Sequence, residues 1–103
     1  MKIYISLPIT TNAEACKARV ASISKQLVQK GHEVVSPFDV SPGTKRSYAY
    51  YISRDIQALL GCDAIFLLSG WSESQSCNLE WRCAQIYNKN IYQHINDIPH
   101  ATK

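Results

Sequence analysis

Asp63-Ala64-Ile65-Phe66-Leu67-Leu68 is the most apolar run in the chain. It is short and does not alternate with polar residues. A run of this kind suits a strand buried on both faces, which is the central strand of a parallel sheet. Gly61 stands just before it and a polar stretch just after it, so its ends are marked.

Working outward, strands and helices alternate. On the N-terminal side, about Lys45 to Leu60 reads as a helix, with Tyr48, Ile52, Ile56 and Leu59 on one face. Residues 37–44 are a loop by their punctuation. Glu33-Val34-Val35-Ser36 is a short strand stopped by Pro37. Before it, Ala13, Cys16, Val20, Ile23 and Leu27 recur at helical spacing, and Lys30-Gly31 closes that helix. Thr11-Asn12-Ala13-Glu14 fits a capping box at its start. Lys2 to Leu7 is the first strand, ended by Pro8. On the C-terminal side, residues 69–78 form a polar loop, about Leu79 to Asn88 a helix, and Asn90-Ile91-Tyr92-Gln93 a last strand.

The order is β-α-β-α-β-α-β. Right-handed crossovers then predict one small three-layer α/β domain, a parallel sheet of about four strands with helices on both faces, Rossmann-like in plan. The domain is expected over residues 1–93, with residues 94–103 as a C-terminal tail. Ligands in such sheets bind beyond the carboxyl ends of the strands. The loops 8–12 and 69–78 leave those ends and are expected to line one crevice.

Composition excludes several classes. The chain has 103 residues, 46% hydrophobic and 18% charged, which is ordinary for one globular domain. Eleven Lys and Arg against eight Asp and Glu give a net +3. That balance suits a small anionic ligand, and without a basic run it does not point to nucleic acid. No stretch approaches the about 18 apolar residues that span a membrane. The four cysteines show no CxxC spacing and lie far from the three histidines, so no metal site or metal cofactor is expected. Free thiols without an export signal predict a reducing cytoplasm. GxGxxG, GxxxxGK[ST] and GxSxG are all absent.

The crevice loops carry hydroxyls and acids. Ser6, Thr10 and Thr11 stand at the end of the first strand; Ser72, Ser74 and Ser76 stand in the second loop. Glu80 falls in the first turn of the expected third helix. There the dipole favours the ionised carboxylate, which is what a nucleophile needs. Acids are also common in first turns simply because they stabilise the helix. Asp55 borders the apolar face of its helix, where an acid can have a raised pKa or can pair with Arg54 or Lys45. Tyr4 either packs in its strand or reaches the crevice. Trp71, exposed by its context, and Trp81 can stack on a base or pack in the core.

Three segments together resemble the nucleoside 2-deoxyribosyltransferase-like superfamily. They are Lys2-Ile3-Tyr4-Ile5-Ser6-Leu7-Pro8-Ile9-Thr10; Arg54-Asp55-Ile56 with Leu60-Gly61-Cys62-Asp63-Ala64-Ile65; and Trp71-Ser72-Glu73-Ser74-Gln75-Ser76-Cys77-Asn78-Leu79-Glu80 with Ala84. Within the superfamily, the chain is most similar to a small phage- and bacteria-associated family. The resemblance spans about residues 1–93 and is strongest over 54–84.

It implies chemistry at an N-glycosidic bond. Glu80 takes the position of the nucleophile that attacks the anomeric carbon of a deoxyribose. Asp55 takes that of the acid serving the leaving base, and Tyr4 that of the residue positioning the nucleophile. Ser6, Pro8, Thr10, Thr11, Trp71, Ser74, Ser76 and Asn78 fall where substrate is held. Relatives that hydrolyse 5′-monophosphates have serine at the position of Ser74, so a nucleotide is favoured over a nucleoside. The implied partner is a small nucleoside or nucleotide, with no cofactor. A homo-oligomer, a dimer or larger, is also implied, since relatives assemble and complete the pocket from a neighbour.

The pattern also departs from the family's. Ser76 and Asn78 stand where glycine is usual, and Cys77 where alanine is. The loop after the first strand lacks the Gly-rich, arginine-bearing form. Three readings follow: an N-glycosidase, hydrolytic or transferring; a non-catalytic nucleotide-binding module on the same scaffold; and a host- or phage-interaction protein on a borrowed scaffold.

Overall fold

A computed structural model describes residues 1–8, 13–40 and 47–101. Four parallel strands form the sheet: β1 (Lys2–Ser6), β2 (Glu33–Val35), β3 (Ala64–Leu67) and β4 (Asn90–Tyr92), in the order β2-β1-β3-β4. β3 lies inside the sheet, between β1 and β4, and all four of its residues are buried. The unbroken apolar run from Asp63 has this origin. Side chains alternate across a strand, and here both faces are covered.

The helices are α1 (Ala13–Gln29), the single turn α2 (Pro37–Val40), α3 (Tyr48–Leu60) and α4 (Gln75–Ile86). Two cores result. On one side of the sheet Ile3, Ile5, Leu7, Ala64, Phe66 and Leu68 pack with Cys16, Val20 and Leu27 of α1. On the other, Tyr4, Ile65 and Leu67 pack with Leu59 of α3 and Ala84 of α4. The three-layer architecture is therefore as expected from the chain order.

Several local expectations are corrected. Residues 37–40 form a helical turn and not loop. Residues 41–46, with Lys45, lie outside the described residues, as do Thr11 and Asn12 of the expected capping box. All four strands end one residue earlier than expected, and the third also starts one residue later. The largest shift is in α4, which starts at Gln75 and not near Leu79. Ser74 is its N-cap and accepts a hydrogen bond from the Cys77 amide at 3.3 Å. The Ser-Gln-Ser-Cys-Asn composition hides a first turn within what reads as a loop. At the other end Asn88 takes a left-handed φ of 58°. Lys89 N–H donates to Ala84 and Asn88 N–H to Gln85, closing the helix at Ile86.

The segment after β4 packs against the domain. A 3₁₀ turn at Ile95–Asp97 leads to Ile98, which is buried in the α1-side core. Lys30 Nζ donates to the Ile98 carbonyl at 2.7 Å, and the Ala101 amide to the Lys30 carbonyl at 2.7 Å. Gly31, at φ 89°, makes this possible: a Cβ there would stand 2.9 Å from the Ala101 Cβ.

Candidate functional site

β1 sends Tyr4 and Ser6 to the α3/α4 side, two residues apart and hence on one face. Both are fully buried. α4 brings Glu80 over them, and its carboxylate accepts from both. Tyr4 Oη donates to Oε2 at 3.1 Å, and Ser6 Oγ to Oε1 at 2.6 Å. Each carboxylate oxygen thus has a hydroxyl donor, and the side chain is held at two points. Glu80 is only 3% exposed.

This corrects the expected electrostatics. With α4 starting at Gln75, Glu80 lies in its second turn, away from the free amides of the helix start. Burial pushes its carboxyl up to about 7. The Ser6 hydrogen bond works against that rise, the nearby Asp55 charge adds to it, and the Tyr4 hydrogen bond opposes it. The Tyr4 phenol is itself pushed far above its ordinary range, by burial first and then by Glu80 and Asp55.

Asp55 lies on α3 between Ile52 and Ile56, half-buried as its position on the helix suggested. Its Oδ1 is buried and has no hydrogen-bond partner among the described residues. Burial pushes its carboxyl up to about 6, against the pull of Arg54. Two carboxyl groups with raised pKa values therefore stand within electrostatic reach of each other. Such perturbed neighbours mark candidate sites.

The loop before α4 forms the site's wall. Gly70 turns it with φ 93°, and a Cβ there would stand 3.4 Å from Pro8 Cγ, so the ends of β1 and β3 lead into adjacent loops. The Leu68 amide donates to the Ser6 carbonyl at 2.9 Å. Trp71 opens a 3₁₀ turn (Trp71–Glu73) and is half-buried, not exposed as its polar context suggested. Its ring packs on Trp81 at 5.5 Å, and its Nε1 donates to Gln93 Oε1 at 3.4 Å. Ser74 and Ser76 are half-buried, with their hydroxyls 3.2 Å apart.

Asn78 has a local task. Its Nδ2 donates to the carbonyls of Ser72 at 2.9 Å and Ser74 at 2.8 Å. The amide N–H groups thus hold the loop's own backbone. Thr10 and Thr11 lie outside the described residues.

Two features were given no part in the site from the sequence. Cys77 is fully buried beside the site, and burial pushes its thiol up, against the lowering influence of the neighbouring Ser6 and Ser74 hydroxyls. Gln93 braces Trp71 from the strand end, and no sequence signal points to that pairing. Among the described residues, no three His, Cys, Asp or Glu side chains converge as a metal site would require.

The fold and this arrangement can be set against known proteins. A comparison of sequences with curated proteins finds no match. The solved structure of a 2-deoxyribosyltransferase from Bacillus psychrosaccharolyticus is similar, with a TM-score of 0.67 at 14% identity. The match covers 99% of this chain and 93% of that one. The CMP N-glycosidase BcmB of Clostridium botulinum has a TM-score of 0.65 at 18% identity, covering 99% of this chain and 86% of that one. At these identities the likeness establishes the fold, that of the nucleoside 2-deoxyribosyltransferase-like proteins. By sequence, residues 1–93 match one family profile, and the chain belongs to that family, the domain of unknown function DUF4406.

Proposed function

We propose that this protein is an N-glycosidase acting on a 2′-deoxynucleoside 5′-monophosphate or a deoxynucleoside, by hydrolysis or deoxyribosyl transfer. One observation carries the reading: Glu80 is held by Tyr4 and Ser6 hydroxyls on its two oxygens, beside an Asp55 whose Oδ1 is unpartnered. A fixed carboxylate with a second carboxyl nearby is the constellation of a retaining glycosidase. That the two similar structures are a deoxyribosyltransferase and a CMP N-glycosidase adds support.

In the first step a Glu80 oxygen attacks the anomeric carbon as the C–N bond breaks. The bonding pair passes to the base nitrogen, which takes a proton from Asp55. In the second, water or another base attacks the same carbon and gives its proton to Asp55, and Glu80 leaves as carboxylate. The Tyr4 and Ser6 hydroxyls aim the nucleophile and stabilise its charge when it departs. Trp71 and Pro8 border the base, Ser74 and Ser76 the sugar and phosphate, and Asn78, whose Nδ2 holds the loop, offers its Oδ1 to a sugar hydroxyl, with Thr10 and Thr11 assigned there from the sequence alone. The hydroxyls of Ser74 and Ser76 at the start of α4 suit a 5′-phosphate, which favours the nucleotide.

The proposal includes a homo-oligomer in a reducing cytoplasm. Leu79, Ile86 and Tyr87 of the α4 region are 43%, 58% and 59% exposed, an apolar surface suited to a second copy. The four free thiols suit that compartment.

The second reading is a nucleotide-binding module without turnover. The raised pKa of Glu80 favours it, because a protonated carboxyl is no nucleophile. Base release separates the two. Deoxynucleosides and their 5′-monophosphates are incubated with the protein, with and without a second base, and free base is read by chromatography. Release from monophosphates supports the first reading. Saturable binding of the same compounds without release from any of them supports the second.

A further inference from the structure

The sheet has another opening, on the face away from Glu80. Phe66 and Leu68 belong to the core under α1, whereas Ile65 and Leu67 belong to the opposite one. α1 does not cover this face alone. The segment after β4 runs beside it and is pinned at its far end through Ile98 and Ala101. Between α1 and this segment lies an open groove of about 640 Å³. That volume falls in the range of about 300–1,000 Å³ that accommodates small organic ligands.

The lining is asymmetric. Phe66, Leu68 and Ile23 supply an apolar floor. Arg19 stands on one bank, and His94 and Asn96 on the other. Among the described residues no carboxylate lines the groove, and Arg19 is its charged side chain. Arg19 Nη2 donates to the Ser69 carbonyl at 3.0 Å. A guanidinium carries further N–H donors in a planar fork that matches an anion. The side chains of His94 and Asn96 make no hydrogen bond among the described residues.

We propose that this groove is a second binding site, for a small flat organic anion. The apolar body lies on Phe66 and Leu68, and the anionic group meets Arg19, with Asn96 and His94 opposite. The groove touches the loop beside Glu80 twice, through Arg19 on Ser69 and through Gln93 on Trp71. Occupation is therefore felt at Trp71. The proposal does not rest on the glycosidase reading, because the site lies across the sheet from Glu80.

The test titrates the whole chain with 2-naphthoate and with neutral 2-naphthamide, following backbone amides by two-dimensional NMR. Naphthoate is expected to shift the amides of residues 66–69 and 93–96 saturably. The amide analogue and the Arg19→Gln variant are each expected to weaken binding about tenfold, the loss of one charge-assisted contact. Ser22→Trp, which fills the groove from an exposed position, is expected to abolish it. Equal affinity for both probes, undiminished binding by Arg19→Gln, or shifts confined to residues 74–80 would each overturn the proposal.

Discussion

The two faces of this sheet are built from the same strands and differ in kind. Toward α1, β1 and the residue after it send Ile3, Ile5 and Leu7, and β3 and the residue after it send Phe66 and Leu68. Toward α3 and α4, β1 sends Tyr4 and Ser6, which meet a buried Glu80. One face is apolar across its centre; the other has a charge-bearing group where a leucine would pack better. Burial disfavours the ionised carboxylate, and the raised Glu80 pKa reflects this. The contrast teaches that α1 holds the sheet together, while the α3/α4 face gives up stability for a positioned group. Such a loss of stability is characteristic of functional sites.

Four tests at three residues can break the comparison. The largest effect is expected from Glu80→Gln, which keeps the shape and removes the nucleophile. Base release should fall by on the order of 10⁴, read in single-turnover assays. Next, Phe66→Ala should cost about 3–5 kcal/mol of stability in urea unfolding, as for other large-to-small core changes. Below its unfolding midpoint that variant should retain its activity, because Phe66 faces away from Glu80.

Asp55→Asn should lower base release by about 10²–10³, the range for loss of a general acid. The wild-type profile should be bell-shaped with its maximum between the two carboxyl values, about 6 and about 7, since one group must be charged and the other protonated. In Asp55→Asn the decline at high pH should vanish.

The smallest effect has an unusual sign. The Glu80 carboxyl rises from 4.5 unfolded to about 7 folded, so its charged form is disfavoured by folding. The penalty is absent below the unfolded value, grows as pH rises between the two, and is complete above the folded one. It amounts to roughly 3 kcal/mol at pH 8. Glu80→Gln should therefore melt higher than wild type at pH 8 by about 12 °C or more and differ little at pH 4. A lower melting temperature at pH 8 would show that the hydroxyl pair stabilises the charged form outright.

Much of this contrast was legible in the chain. Asp63–Leu68 marked the central strand because a buried parallel strand has no polar face. Tyr4, Asp55 and Glu80 were singled out, and Tyr4 and Glu80 now share a hydrogen bond. What escaped was local. The start of α4 was hidden because Ser74 acts as a cap while its neighbours resemble loop residues, and that shift moved Glu80 from the helix end into the interior. The role of Ser6 as direct partner of Glu80 needed three dimensions, since 74 residues separate them. Arg19 lies on α1, and only the packed segment after β4 makes it the bank of a groove.

The central claim is that Glu80 bonds covalently to the sugar. Its most direct test is mass spectrometry of the intact protein, quenched in acid during turnover of a deoxynucleoside 5′-monophosphate. The account predicts a gain equal to one deoxyribosyl phosphate, located on the peptide containing Glu80 and absent from Glu80→Gln. Base release with no adduct, undiminished in Glu80→Gln, would contradict it.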